Sequence, residues 1–156
     1  MTASTSTPLL TARELRAWRA FLRAHAQITR ALEADLLAEH QLSLPEYDVL
    51  VHLLEAPERR LRMTDLAARV LISRSGLTRL VDRMERSGLV QRVSCPSDAR
   101  GTFAELTEEG YTRLRESAGT HLRGVRDYVT GQLRDDEQDL LFTLMSRIGG
   151  AEPGDA

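Results

Sequence analysis

The residues best suited to chemistry lie in the stretch 71–90, LISRSGLTRLVDRMERSGLV. At 3.6 residues per turn, Leu77, Leu80, Val81 and Met84 form one apolar stripe. Ser75, Thr78, Arg79, Asp82 and Arg86 fall on the opposite face, flanked by Arg74 and Arg83. Short hydroxyls beside arginines suit a helix laid in a DNA major groove. Guanidinium forks match guanine edges and phosphates, and Ser or Thr approaches base or backbone closely. Ser73 is placed to cap the first turn, and Gly88 to take the left-handed conformation after the last, with Leu89 folding back. An ordinary solvated amphipathic helix would show the same stripe, so the flanking elements decide between the two readings.

Before it, Ser43-Leu44-Pro45-Glu46 is a capping-box pattern with proline in the first turn, which starts a helix. Its expected buried face is Tyr47, Leu50, Val51 and Leu54, and Ala56-Pro57 ends it. Leu61-Arg62-Met63 reads as a short extended step, and Thr64 as the cap of a short helix with Leu66, Ala67 and Val70 inside. Two short helices joined by a tight turn, the second basic outside, follow helix-turn-helix order. After Gly88, residues 89–94 and 102–106 read as strands around a turn at 95–101, a hairpin wing with Arg100 near its tip. Arginine suits a narrow, electronegative minor groove, and a pair with Asp98 could orient the loop.

Long helices flank this middle. Residues 12–39 carry Leu15, Trp18, Leu22, His25, Thr29, Leu32 and Leu36 at alternating steps of three and four. Thr107-Glu108-Glu109-Gly110 opens another helix, with Tyr111, Leu114, Ala118, His121, Leu122, Val125, Tyr128 and Val129 along one side. The last helix starts at Asp135-Asp136-Glu137 and bears Leu140, Leu141, Leu144, Met145 and Ile148, until Gly149-Gly150 stops it. This is more apolar helical surface than the small middle can cover, and a two-chain bundle would bury it.

The 156 residues suffice for a core, at 42% hydrophobic and 28% charged. No apolar run is long enough to span a membrane, no secretory signal is evident, and one cysteine fits a reducing cytosol. Net charge is −2, but residues 59–100 hold ten arginines against four acids, a compact block of +6 in an acidic protein. Such a block is a preferred surface for a polyanion. Glycine-rich phosphate loops, His-Glu-x-x-His and serine-nucleophile motifs are absent from the sequence, so no enzyme is expected. The four histidines are scattered and no metal site or cofactor is expected. A winged-helix module that docks proteins rather than specific DNA is the alternative, but it would have no need of the basic block.

Met63-Thr64-Asp65-Leu66-Ala67, the SRSGLTRLVDRMERSGLVQR run, the wing Pro96-Ser97-Asp98-Ala99-Arg100-Gly101 and Leu106-Thr107-Glu108-Glu109-Gly110 together resemble the MarR family of winged-helix transcription regulators over about residues 12–149. The resemblance implies a mostly α fold with a small β-wing. A winged helix-turn-helix lobe (40–106) would sit on a dimerisation region of N- and C-terminal helices (12–39 and 107–149), with 1–11 a disordered lead and 150–156 a tail. It implies a cytoplasmic homodimer on an inverted-repeat operator, a repressor relieved by a small aromatic or acidic effector. Major-groove contacts would fall to Ser73, Arg74, Ser75, Thr78 and Arg79, a backbone contact to Arg83 and the wing contact to Arg100. The family's effector pocket would correspond here to Trp18, Leu22 and His25 with Tyr47 and Val51. Two departures stand out. The wing has Cys95 where an acid is common and Ala99 where a second base is common. The first helix lacks the thiol of the peroxide-sensing branch; Cys95 has no evident base beside it to lower its pKa.

Overall fold

The computed structural model describes residues 9–95 and 98–150. It is a mostly helical chain with one small antiparallel sheet. In order it runs α1 (Ala12–His40), α2 (Leu44–Glu55), β1 (Arg60–Arg62), α3 (Met63–Val70), α4 (Arg74–Arg86), β2 (Val90–Cys95), β3 (Asp98–Leu106), α5 (Glu108–Tyr128) and α6 (Asp135–Gly149). Single 3-10 turns at Pro57–Arg59 and Thr130–Gln132 complete it.

Local chemistry sets most boundaries. Thr11 and Ser43 each form a full capping box with the glutamate three residues on, Glu14 and Glu46. Leu44 N–H also donates to Glu33 Oε2 at 2.5 Å, tying the start of α2 back to α1. Thr64 does not cap α3. β1 runs directly into α3, so Arg62 holds the N-cap position without a side-chain bond, and the Thr64 hydroxyl turns to Asp65.

The sheet order is β1-β3-β2. β1 pairs with β3 from Arg60↔Glu105 to Arg62↔Phe103, and β2 pairs with it from Val90↔Leu106 to Ser94↔Thr102. β3 begins at Asp98, earlier than the sequence suggests, because the hairpin pairs as far as Cys95↔Asp98 through an irregularity at Ser94/Cys95.

The core gathers Leu36 and Leu42, Val49, Leu50 and Leu53 of α2, Leu66 of α3, the stripe of α4, Leu89, Val90, Leu106, and Leu114 of α5. The buried face of α2 is therefore Tyr47, Val49, Leu50 and Leu53; Leu54 faces out and Val51 is half-buried. The buried face of α5 also differs from the apolar stripe in the sequence. Gly110, Leu114, Ser117, Thr120 and Gly124 line it, while Leu122 is exposed. Small residues are needed there because α1 lies close: a Cβ on Gly124 would meet Leu32 Cδ2 at 2.7 Å. Polar bonds close the same seam. Thr120 Oγ1 donates to Glu39 Oε2 (2.7 Å), Arg123 pairs with Glu39 (2.6 Å), and Tyr128 donates to Asp35 (2.6 Å).

On α1 only Leu32 and Leu36 are buried, and α6 buries no residue. Trp18, Phe21 and Leu22 on α1, and Leu140, Leu141, Phe142, Leu144, Met145 and Ile148 on α6, expose between 36% and 70% of their surface. Among the described residues no helix is long and apolar enough to cross a membrane.

Candidate nucleic-acid interface

α3 and α4 meet through a tight turn in which Leu71 takes the left-handed conformation and Ile72 N–H donates to Ala67 O at 3.2 Å. Ser73 caps α4, its Oγ accepting from Gly76 N–H at 3.1 Å. A Cβ on Gly76 would stand 3.0 Å from that oxygen, so the glycine leaves the cap room. The apolar stripe is fully inside, with Leu77, Leu80, Val81 and Met84 each at most 3% exposed. This fixes the rotation of α4. Ser73, Arg74, Ser75, Thr78, Arg79 and Arg83 are consequently all exposed.

Two of the hydroxyls are partly committed. Ser73 Oγ serves the cap and lies 3.3 Å from Ser75 Oγ; Thr78 Oγ1 donates to Arg74 O at 2.9 Å. Each keeps acceptor capacity. The first turn of α4 holds no acid, so the positive end of the helix is left uncompensated for an anion.

The basic block resolves into two classes. Arg59 pairs with Glu108 (3.2 Å) and lies 4.6 Å over the Tyr111 ring, Arg60 pairs with Glu58, and Arg92 is held by Asp82 and Glu85. Arg69, Arg74, Arg79, Arg83 and Arg86 have no acid partner among the described residues. The uncompensated charge thus collects on α4 and the end of α3. Beside it, a cleft of about 440 Å³ opens between α3, α4 and the wing, lined by Arg62, Met63, Thr64, Thr78, Arg92, Gly101 and Thr102. The Arg100 backbone belongs to β3, but its side chain, the Cys95 side chain and residues 96–97 lie outside the described residues.

The five effector candidates are not brought together within one chain. Tyr47 is buried in the core, and Val51 packs against that core. Trp18, Leu22 and His25 stand exposed on the N-terminal half of α1. At about 1.5 Å rise per residue, Trp18 lies roughly 27 Å and His25 roughly 16 Å along the axis from Leu36. The neighbour of Tyr47 is instead His121, with ring centroids 4.3 Å apart. Among the described residues, His121 Nδ1 is buried without a hydrogen-bond partner. Burial holds this imidazole below its ordinary pKa against the pull of Asp48, whose own carboxyl is raised by burial. This Tyr47–Asp48–His121 contact was invisible to sequence spacing, because α5 begins more than fifty residues after α2. Among the described residues, no group of three or more His, Cys, Asp or Glu could hold a metal ion.

The comparisons with known proteins agree with this geometry. The MarR family model matches residues 40–101, the span from the end of α1 into the wing. Sco3205, a MarR family transcriptional regulator from Streptomyces coelicolor whose crystal structure is a complex with DNA, is 40% identical, with a TM-score of 0.88 over 96% of this chain and 95% of that one. AbsC, a MarR family transcriptional regulator from the same organism, is 37% identical, with a TM-score of 0.86 over 92% and 97%. The transcriptional repressor YetL of Bacillus subtilis is 31% identical over 107 residues, 69% of this chain and 64% of that protein. A capped, arginine-bearing second helix, a hairpin wing and long flanking helices, in an order shared end to end with Sco3205, place the chain in the MarR family of transcriptional regulators.

Proposed function

We propose that the chain is a homodimeric, sequence-specific DNA-binding transcriptional regulator of the cytoplasm, acting as a repressor. The observation that carries this reading is the exposed face of α4: arginines without acid partners among the described residues, interleaved with hydroxyls, at the open end of a capped helix. Ser73, Arg74, Ser75, Thr78 and Arg79 reach into the major groove, Arg83 meets the backbone, and Arg100 enters the minor groove from the wing. The uncovered apolar faces of α1 and α6 support association with a second copy. A two-fold dimer reads an inverted repeat with half-site centres about one helical turn, roughly 10 bp, apart. YetL, named a repressor, and Sco3205, solved with DNA, are the relatives that favour this function over catalysis.

We also propose that a small, flat, weakly acidic aromatic molecule relieves binding, at a pocket to which Trp18, Leu22 and His25 of α1 and Tyr47 and Val51 of α2 contribute. Regulation then requires the ligand to prefer the DNA-free arrangement, each tenfold preference being about 1.4 kcal/mol of coupling. Genome-fragment selection with the purified dimer, followed by titration of the selected site at two salt concentrations, tests the DNA reading. Steep loss of affinity with salt and an inverted repeat are expected. A protein-docking module would show neither. Salicylate-like acids that release the site and quench Trp18 would support the effector reading; failure at millimolar concentration removes it.

A further inference from the structure

The guanidinium of Arg92, on β2, lies against one strip of α4 formed by residues four and three apart. It meets Asp82 Oδ1 at 2.6 Å and Glu85 Oε2 at 2.7 Å, and it donates to Thr78 O at 3.3 Å. The Arg92 backbone N–H also donates to Glu85 Oε1 at 2.9 Å. Four bonds therefore join β2, the first strand of the wing, to α4, and one of them ends on the carbonyl of Thr78. The side chain is only 26% exposed, so the pair of carboxylates is more open than the cation that holds them. One positive charge faces two negative ones, which leaves this cluster with net negative charge beside a surface that must accept phosphates.

We propose that Arg92 is a positioning residue for DNA recognition and not a phosphate contact. It fixes the angle between wing and α4, so that both enter their grooves together, and it holds Asp82 and Glu85 in place to do so. The two acids are retained at an electrostatic cost because the fork needs both. The inference rests on the DNA-binding reading of α4 and the wing.

The sign of one substitution separates the possibilities. If the acids only oppose the polyanion, Asp82→Ala tightens DNA binding, since it removes negative charge from the interface. If they anchor the strut, Asp82→Ala weakens binding by roughly tenfold, the equivalent of about 1.4 kcal/mol, although the protein becomes more positive. Arg92→Gln should weaken binding similarly, and the double variant Arg92→Gln/Asp82→Ala should be little worse than either alone, because both break one contact. The slope of log K against log salt should stay within about half a unit of wild type for Arg92→Gln, whereas loss of a phosphate contact lowers it by about 0.9 per contact. Thermal melting and light scattering establish that each variant folds and keeps its oligomeric state. Should Arg92→Gln not fold, Asp82→Ala alone decides by sign. Unchanged or tighter binding by Asp82→Ala, or additive effects in the cycle, overturns the proposal. If wild type itself shows no salt-dependent binding to selected DNA, the DNA reading fails first, and the two failures are distinguishable.

Discussion

Leu71 joins two features that rarely coincide. It follows the last turn of α3 with φ 57° and ψ 39°, and 89% of its surface is exposed. The left-handed conformation costs a side-chain-bearing L-residue about 1–2 kcal/mol, and glycine escapes that cost. Glycine gives back roughly 0.5–1 kcal/mol through its freer unfolded chain. The leucine itself buries little. About a tenth of its area, on the order of 20 Å² at ~25 cal/mol/Å², contributes about 0.5 kcal/mol. Leu71→Ala loses that contact and keeps the strain, whereas Leu71→Gly loses the same contact and releases it. Glycine should therefore be the more stable variant by up to about 1 kcal/mol, a separation of roughly 2–4 °C in Tm for a chain of this size. Melting of wild type and both variants at one protein concentration measures it, since dimer stability depends on concentration. The Leu71 and Ile72 N–H groups both donate to Ala67 O, and neither bond depends on the side chain. A glycine variant less stable than the alanine variant would refute the argument and show that the side chain holds the turn.

Leu144→Asp puts a charge on the apolar face of α6, at a cost on the order of several kcal/mol if that face is covered by a second copy; light scattering should report monomer and operator binding should be lost, and an active dimer would refute it. Arg79→Ala should cost about 1–3 kcal/mol per half-site and relax specificity at one base position, while Arg83→Ala weakens all sequences alike and flattens the salt slope; site selection with each variant distinguishes them. Gly110→Ala should destabilise by about 1–3 kcal/mol in urea melts, because its Cβ would sit 2.0 Å from the Leu89 carbonyl oxygen. His121 has its folded-state pKa below the ordinary 6.5, so its neutral form stabilises the fold fully above that pH and the benefit is lost as pH falls through the depressed value. Asp48, raised from 3.8, acts in the opposite sense at lower pH; His121→Phe should therefore lose less Tm than wild type between about pH 7 and 5.5.

What local chemistry controls was legible in the sequence. The Ser43 and Ser73 caps, the rotation of α4, the hairpin and the left-handed Gly88 all follow from residues within a few positions of one another. Faces chosen by distant neighbours were not. Periodicity favours large apolar side chains, so it selected Leu54 on α2 and Leu122 on α5, whereas α1 lies close against the smaller Thr120 and Gly124. Arg92 reads as free positive charge because its acids lie seven and ten residues away, across a helix–strand junction. Trp18, Leu22 and His25, three of the five effector candidates, shared one helical stripe with Leu32 and Leu36, and a stripe carries no information about where along its length the cover ends.

The Thr107 hydroxyl donates to Gly88 O at 2.6 Å and lies 3.0 Å from Leu89 O, while its oxygen accepts from Gly110 N–H at 3.0 Å. The end of α4, the end of β3 and the first turn of α5 are thus pinned at one point, and the Leu89 carbonyl fills the space a Cβ on Gly110 would need. These bonds tie the orientation of α5 to that of α4. The helix is 21 residues long, roughly 31 Å, so a tilt of about 5° moves its far end by roughly 3 Å relative to that pivot. With the lower end clamped to α4, the same tilt imposed at the far end swings the reading head through an equal angle. Were two copies to cross through their long helices, the distance between their α4 helices would follow from the crossing angle, with no change needed on the exposed face of α4.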